Sequence, residues 1–372
     1  MEHVCWERLV TVVLVFFATR FPKAVDGAIP ALFAFGDSIL DTGNNNNLAT
    51  LSKCNFPPYG RDFFGARPTG RWSNGRVPSD LIAEALGIKQ TLPAYLNPFL
   101  SSQELATGVC FASGGSGLDT MTTTLQVGVL SMSAQMQLFK DYIRRLRSLV
   151  GYQRAAYIIS NGLYLISAGN NDIAITYTVS PRRLMLFNLY ADLLVGWHSN
   201  FVKELYQLGA RHVWVLSTLP LGCLPGARNS VGGPLKFCVD IVNGQAQIYN
   251  VKLASAMASI RTRVPNFDLQ FVDVYTPLLN IIRNPLAAGF VNAATGCCGT
   301  GTLEMAELCN IFIGSCPIPS AYVFWDAGHP TQRTYQLIVA SILKRHRVSG
   351  YNVSGYNVSS SFDTTPSKFG SH

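Results

Sequence analysis

The sequence predicts an α/β fold, a parallel sheet covered by helices on both faces, and three features predict it. Five short apolar runs, 31–35, 108–112, 163–168, 212–217 and 269–274, have the length and composition of buried strands. Between most of them lie long stretches, 133–150, 181–208 and 237–263, with apolar residues three and four apart, the mark of amphipathic helices. Four of the five runs lead straight into polar or glycine-rich residues, and in such sheets ligands gather beyond the carboxyl ends of the strands. The chain has 372 residues, 48% hydrophobic and 13% charged, with no linker-like break in the alternation, so one domain over 26–347 is expected.

The amino-terminal apolar run 9–18 (LVTVVLVFFA) is shorter than the roughly 20 residues a spanning helix needs. Arg8 before it and Ala24, Val25 and Gly27 after it predict a cleaved secretory signal over 1–25, although Glu2 and Glu7 are unusual in such a segment. A buried amino-terminal helix and a retained anchor are the alternatives. Secretion implies an extracellular, cell-wall or apoplastic location and an oxidising compartment. Of nine cysteines, loss of Cys5 leaves eight, an even count that predicts disulfides, with Cys223 and Cys238 the local pair the spacing suggests. Buried free thiols are the other reading. No cysteine or histidine pairs stand at zinc-ligand spacing, and no metal or cofactor is expected.

Lys and Arg total 29 against 21 Asp and Glu, a net charge of +8. The one dense basic block, Lys344, Arg345, His346 and Arg347, ends a helical pattern where cations suit the dipole, so nucleic-acid binding is not indicated. Weak association with an acidic matrix such as a pectin-rich wall would be a generic electrostatic effect. The segment 348–372 repeats SGYNV and reads as a disordered tail. It holds the two N-x-S sequons of the chain, at Asn352 and Asn357, which are candidate glycosylation sites.

The chemistry lies in the residues just after these runs. The first leads into Gly36-Asp37-Ser38, the second into Ser113 and the glycines Gly114, Gly115 and Gly117, and the third into Gly169-Asn170-Asn171-Asp172. The segment 323–325 leads into Asp326-Ala-Gly-His329-Pro330 and then a helix. A serine hydroxyl is a poor nucleophile at neutral pH unless a base lies within hydrogen-bond reach. His198 falls in a helix, His212 opens a strand, and His346 and His372 lie in basic or tail segments. His329 alone has a nearby acid in a loop, Asp326, placed to fix its tautomer. Gly114, Gly115 and the Asn171 amide are donors of the kind that stabilise an oxyanion. Each piece has a plainer reading: Ser38 as a helix cap, the glycines and asparagines as turn residues, His329 as a cap on the last helix. The run of four asparagines from Asn44 to Asn47 reads as a polar turn without catalytic role. The absence of G-x-S-x-G, H-E-x-x-H, Walker A and G-x-G-x-x-G motifs disfavours α/β-hydrolases, zincins, P-loop enzymes and simple dinucleotide-binding folds.

The ordered segments resemble the plant GDSL esterase/lipase family. They are FAFGDSILDTGNNN at 33–46, GVCFASGGSG at 108–117, SAGNND at 167–172 and VFWDAGHP at 323–330. NFPPYG at 55–60, GRWSNGRVP at 70–78, LPLGC at 219–223 and CCGTG at 297–301 are similar too. The resemblance implies a three-layer α/β/α flavodoxin-like (SGNH hydrolase) fold with a five-stranded parallel sheet, acting on a small-molecule or lipid ester. It implies Ser38 as nucleophile, His329 as base then acid, Asp326 as its orienting partner, and an oxyanion hole from Ser38, Gly114 and Asn171. Ile39 replaces the name-giving leucine, a mild apolar swap. Cys110, where many members carry Asn, together with Cys54 is similar to the anther and pollen-coat extracellular-lipase subgroup. A bridge between those two cysteines would tie the segment after the first strand to the second. Acyl transfer to an alcohol, or a non-catalytic wall-associated binding protein on the same fold, are the competing functions.

Overall fold

The computed structural model describes residues 29–346. The expected signal segment 1–25, the tail 348–372 and the sequons at Asn352 and Asn357 lie outside the described residues. Four parallel strands in the order β1-β2-β3-β4 form the main sheet: β1 Leu32–Gly36, β2 Leu163–Ser167, β3 His212–Leu216 and β4 Asp268–Val272. Each lies within two residues of an apolar run seen in the sequence.

The second run, 108–112, departs from expectation. It joins the free edge of β1 as an irregular fifth member, held by Leu32 N to Thr107 O (3.2 Å), Ala34 N to Val109 O (3.4 Å), Phe111 N to Ala34 O (2.7 Å) and Ser113 N to Gly36 O (2.9 Å). Regular ladder pairing reduces to isolated parallel bridges of Cys110, with Ala34 on one side and with Ala94 on the other, where Tyr95 N donates to Cys110 O and Cys110 N to Pro93 O at 2.8 Å each. On its outer side, Asn44 Nδ2 donates to Cys110 O (2.9 Å) and Ala112 O (2.7 Å), so a side chain covers carbonyls that a bare edge would expose. The α/β/α class holds, with four regular strands and this edge segment. β1 is thereby flanked by 107–113 on one side and β2 on the other, which is where the direction of strand addition reverses and a crevice opens.

The longer helices are α1 Pro78–Ala85, α2 Met132–Val150, α3 Tyr152–Asn161, α4 Phe187–Gln207, α5 Asp240–Arg263, α6 Tyr275–Arg283 and α7 Gln332–Arg345. α2 starts where Ser131 caps it, its side chain accepting from Ala134 N. α4 begins later than the periodicity suggests because Pro181–Leu184 forms a separate 3-10 turn capped by Ser180. β1 and β2 are buried along their whole length, so both sheet faces are covered. Phe33 and Phe35, two apart and hence on one face, pack against Phe139 and Tyr142 of α2 and Phe201 of α4.

A small second sheet, β5 Asn292–Gly296 with β6 Tyr322–Phe324, was not foreseen beyond the 323–325 run. Beside it, bridges Cys297–Cys316 and Cys298–Cys309 close the 297–316 loop, and Cys223–Cys238 pairs as the spacing suggested. Cys54 and Cys110 are buried free thiols, so of the two readings left open for them the structure has the unpaired one. Cys110 Sγ instead donates to Leu40 O at 3.2 Å, while Cys54 packs in a cluster with Tyr59, Trp72 and Trp325. Among the described residues no helix is long and apolar enough to cross a membrane.

Candidate active site

Ser38 lies in the turn directly after β1. Gly36, at φ 120, lets the chain leave the strand, since a Cβ there would fall 1.8 Å from Ser167 O. Asp37 N then donates to Ser167 O (2.9 Å), and the Asp37 carboxylate accepts from Ile39 N (3.1 Å), closing a tight turn that presents Ser38. Asp37 also accepts from Ser167 Oγ (3.1 Å) and Asn170 Nδ2 (2.8 Å), so it joins the nucleophile turn to the loop after β2. Ser38 is therefore a turn residue rather than a helix cap.

His329 and Asp326 lie on the loop that leaves β6 and enters α7. The helix is capped by Thr331, one residue past Pro330, whose side chain accepts from Thr334 N. His329 Nε2 stands 2.8 Å from Ser38 Oγ, and its Nδ1 stands 2.8 and 2.9 Å from the two Asp326 oxygens. Asp326 is fully buried and also accepts from Gly328 N and His329 N at 2.8 Å each. Two distant stretches of chain thus meet as a serine-imidazole-carboxylate relay. Trp72 lies over the His329 ring with centroids 4.9 Å apart, and Tyr59 Oη donates to Asp326 Oδ2 at 2.7 Å. Neither had been singled out as an individual residue from the sequence.

The donors expected around the nucleophile are only partly free. Gly114 N donates to Asp41 Oδ2 at 2.8 Å, so this expected oxyanion donor is already engaged with a buried carboxylate. The N–H groups of Ser38 and of Gly115, the next residue, have no hydrogen-bond acceptor among the described residues. Gly115 has φ 87, a left-handed conformation suited to glycine. Asn171 Nδ2 donates one hydrogen to Ser116 O (2.8 Å), which leaves its second hydrogen for another acceptor. Asn170 is occupied structurally, donating to Asp37 and accepting from Leu219 N (3.0 Å).

Three buried carboxylates brace the loops that carry these groups. Asp41 accepts from Gly43 N, Asn44 N and Gly114 N, and Asp172 accepts from Leu118 N, Asp119 N and Thr122 Oγ1. Burial pushes Asp37, Asp41 and Asp172 each up to about 6, with the donated hydrogen bonds pulling the other way. The asparagine run is structural: Asn45 Nδ2 donates to Ser52 O and Gly114 O and its Oδ1 accepts from Ser113 Oγ, which ties the run to the glycine segment. His198 is buried between α4 and α5, near Tyr249 Oη at 2.9 Å, and burial lowers its pKa to about 3, so it stays neutral. Among the described residues no cluster of three or more His, Cys, Asp or Glu is arranged to hold a metal ion.

Comparison with known proteins gives the same direction. The family model described as GDSL-like lipase/acylhydrolase matches residues 32–342. The chain is 50% identical over 329 residues to GDSL esterase/lipase At1g23500 of Arabidopsis thaliana, covering 88% of this chain and 92% of that protein. It is 48% identical over 322 residues to GDSL esterase/lipase At5g63170 of the same plant, covering 86% and 91%. Against GDSL esterase/lipase EXL3, also of Arabidopsis thaliana, it is 46% identical over 326 residues, covering 87% and 88%.

Proposed function

The chain belongs to the GDSL-like lipase/acylhydrolase family, and from that premise we propose that it hydrolyses carboxylic esters through an acyl intermediate on Ser38. The observation that carries this reading is the 2.8 Å contact between Ser38 Oγ and His329 Nε2, backed by Asp326 on the other ring nitrogen. His329 takes the hydroxyl proton as Ser38 Oγ attacks the ester carbonyl. Asp326 holds Nδ1 and stabilises the imidazolium that forms. The tetrahedral oxyanion is met by the N–H groups of Ser38 and Gly115 and by the second Asn171 amide hydrogen. We assign the glycine donor to Gly115 because the Gly114 N–H is held by Asp41. As the intermediate collapses, His329 protonates the departing alcohol. It then deprotonates the water that attacks the acyl-serine, which releases the acid and restores the free hydroxyl.

Secretion to the extracellular space or wall, removal of 1–25 and glycosylation at Asn352 and Asn357 belong to the same proposal. The three disulfides support an oxidising compartment. The test is hydrolysis of short-chain and long-chain p-nitrophenyl esters by the purified protein beside Ser38→Ala, with a fluorophosphonate to trap the nucleophile. Turnover that vanishes in Ser38→Ala, and a covalent adduct on the Ser38 peptide, are expected. Unchanged turnover in the variant, or an adduct elsewhere, overturns the assignment. An added acceptor alcohol separates hydrolysis from acyl transfer by the product formed.

A further inference from the structure

We infer that Tyr59 is a positioning residue for the reaction: its hydroxyl fixes the Asp326 carboxylate toward His329 and couples it to the disulfide-closed loop that begins at Cys298. This inference rests on the reading of Ser38, His329 and Asp326 given above.

The two Asp326 oxygens are held differently. Oδ1 accepts from two backbone N–H groups, of Gly328 and His329, whereas Oδ2 has only Tyr59 Oη (2.7 Å) besides the imidazole itself (2.9 Å). Without the phenol, one oxygen of a fully buried carboxylate would depend on the very ring it must orient. The phenol is itself polarised, because Tyr59 Oη accepts from Ala306 N at 3.0 Å, and a hydroxyl that accepts one hydrogen bond donates a stronger one. Ala306 adopts φ 50, uncommon for a residue with a side chain, in the turn that aims this N–H at Tyr59.

The ring is held in place by packing. Tyr59 is buried, with edge contacts to Phe56, Trp72 and Trp325 at centroid distances of 5.9, 6.1 and 6.1 Å. Burial and the neighbouring Asp326 keep its pKa well above the usual tyrosine range, so it remains a donor. Ala306 lies inside the loop closed by Cys298–Cys309, and the same loop meets the relay again where Ala327 N donates to Glu304 O (2.9 Å).

Tyr59→Phe removes the hydroxyl and keeps the ring, and it is compared with wild type and Ser38→Ala in kcat, KM and Tm. Loss of one hydrogen bond to a charged group predicts a kcat about tenfold lower, with KM within about twofold and Tm within a few degrees of wild type. A purely structural tyrosine would move Tm without this split. Wild-type kcat in Tyr59→Phe, a change in KM alone, or a loss that tracks a lowered Tm and disappears on cooling, each overturns the inference. If Ser38→Ala is inactive while Tyr59→Phe turns over normally, only the role of Tyr59 fails. If Ser38→Ala turns over normally, the underlying reading fails and takes this one with it.

Discussion

A Cβ placed on Gly114 would fall 2.3 Å from Trp72 Nε1, and the same indole lies over the His329 imidazole. The glycine segment and the histidine loop are therefore in contact through one tryptophan, quite apart from any hydrogen bond they offer a substrate. Gly114 has no left-handed φ, so alanine is tolerated by its backbone and excluded by this contact alone.

Gly114→Ala keeps the N–H that Asp41 accepts and adds one methyl group against Trp72. Overpacking of this kind costs about 1–3 kcal/mol. If the indole is pushed toward His329, ester hydrolysis falls well beyond what the stability change accounts for. Urea unfolding beside initial rates at saturating ester measures both, and a variant with wild-type midpoint and rate shows that Trp72 has room to yield.

The three carboxyls raised to about 6 give stability a pH dependence of definite sign. Between the ordinary value of 3.8 and about 6, the folded protein binds protons at these sites that the unfolded chain has released. Their contribution is thus fully present below pH 4 or so and is lost as pH rises through about 6. Carboxylates lowered by hydrogen bonds, such as Glu304 at about 2, act in the opposite sense, so the useful quantity is a difference between proteins. Asp41→Asn removes one of the three, and the stability advantage of wild type over the variant should shrink as pH rises from 4 to 7. Urea midpoints at four pH values test this, and parallel curves would show that Asp41 titrates as it does in the unfolded chain.

The parts of the fold and site that were legible in the sequence are those whose signals are local. β1 to β3 are short, largely buried apolar runs and β4 keeps apolar residues at Leu269, Phe271 and Val272, and a run needs no partner to be recognised. The relay was legible because Asp326 and His329 lie three residues apart in a loop and Ser38 comes just after a strand. The 108–112 run misled in its regularity because its polar groups are taken by Asn44, more than sixty residues away, and by the 93–95 segment, and periodicity carries no trace of such contacts. Tyr59 and Trp72 were invisible as site residues for the same reason, since each reaches the relay across the fold from an aromatic cluster. That the Gly114 N–H is taken up by Asp41 was not legible, because nothing in the sequence shows that this acid is buried and must find backbone donors.

The state of the cysteines gives a direct chemical test. The structure leaves Cys54 and Cys110 reduced and buried, with burial raising both thiol pKa values, Cys110 to about 12. Native protein should resist alkylation by iodoacetamide at both positions. Protein unfolded in urea without reductant should be labelled at Cys54 and Cys110, while the six bridged cysteines react only after reduction. Peptide masses showing a Cys54–Cys110 bridge would contradict the packing of Cys110 against Leu40 O.

Opening the Cys298–Cys309 bridge should do more than destabilise. The bond spans 11 residues, and on chain-entropy grounds its removal costs about 3 kcal/mol. The loop it closes also supplies the Ala306 N–H to Tyr59 and the Glu304 carbonyl to Ala327, which lies next to Asp326. Those two contacts depend on the loop keeping its shape while the rest of the chain stays folded. A Cys298→Ala, Cys309→Ala double variant should therefore lose turnover at temperatures where its sheet signal in circular dichroism is still native. The Cys223–Cys238 bridge is of comparable span, 15 residues, and its loop also reaches Ala327, through Gly226 N to Ala327 O at 2.8 Å, but it makes no contact with Tyr59, so a Cys223→Ala, Cys238→Ala pair isolates the Tyr59 link. Equal activity losses in the two variants at matched stability would mean that the Ala306 contact to Tyr59 adds nothing to turnover.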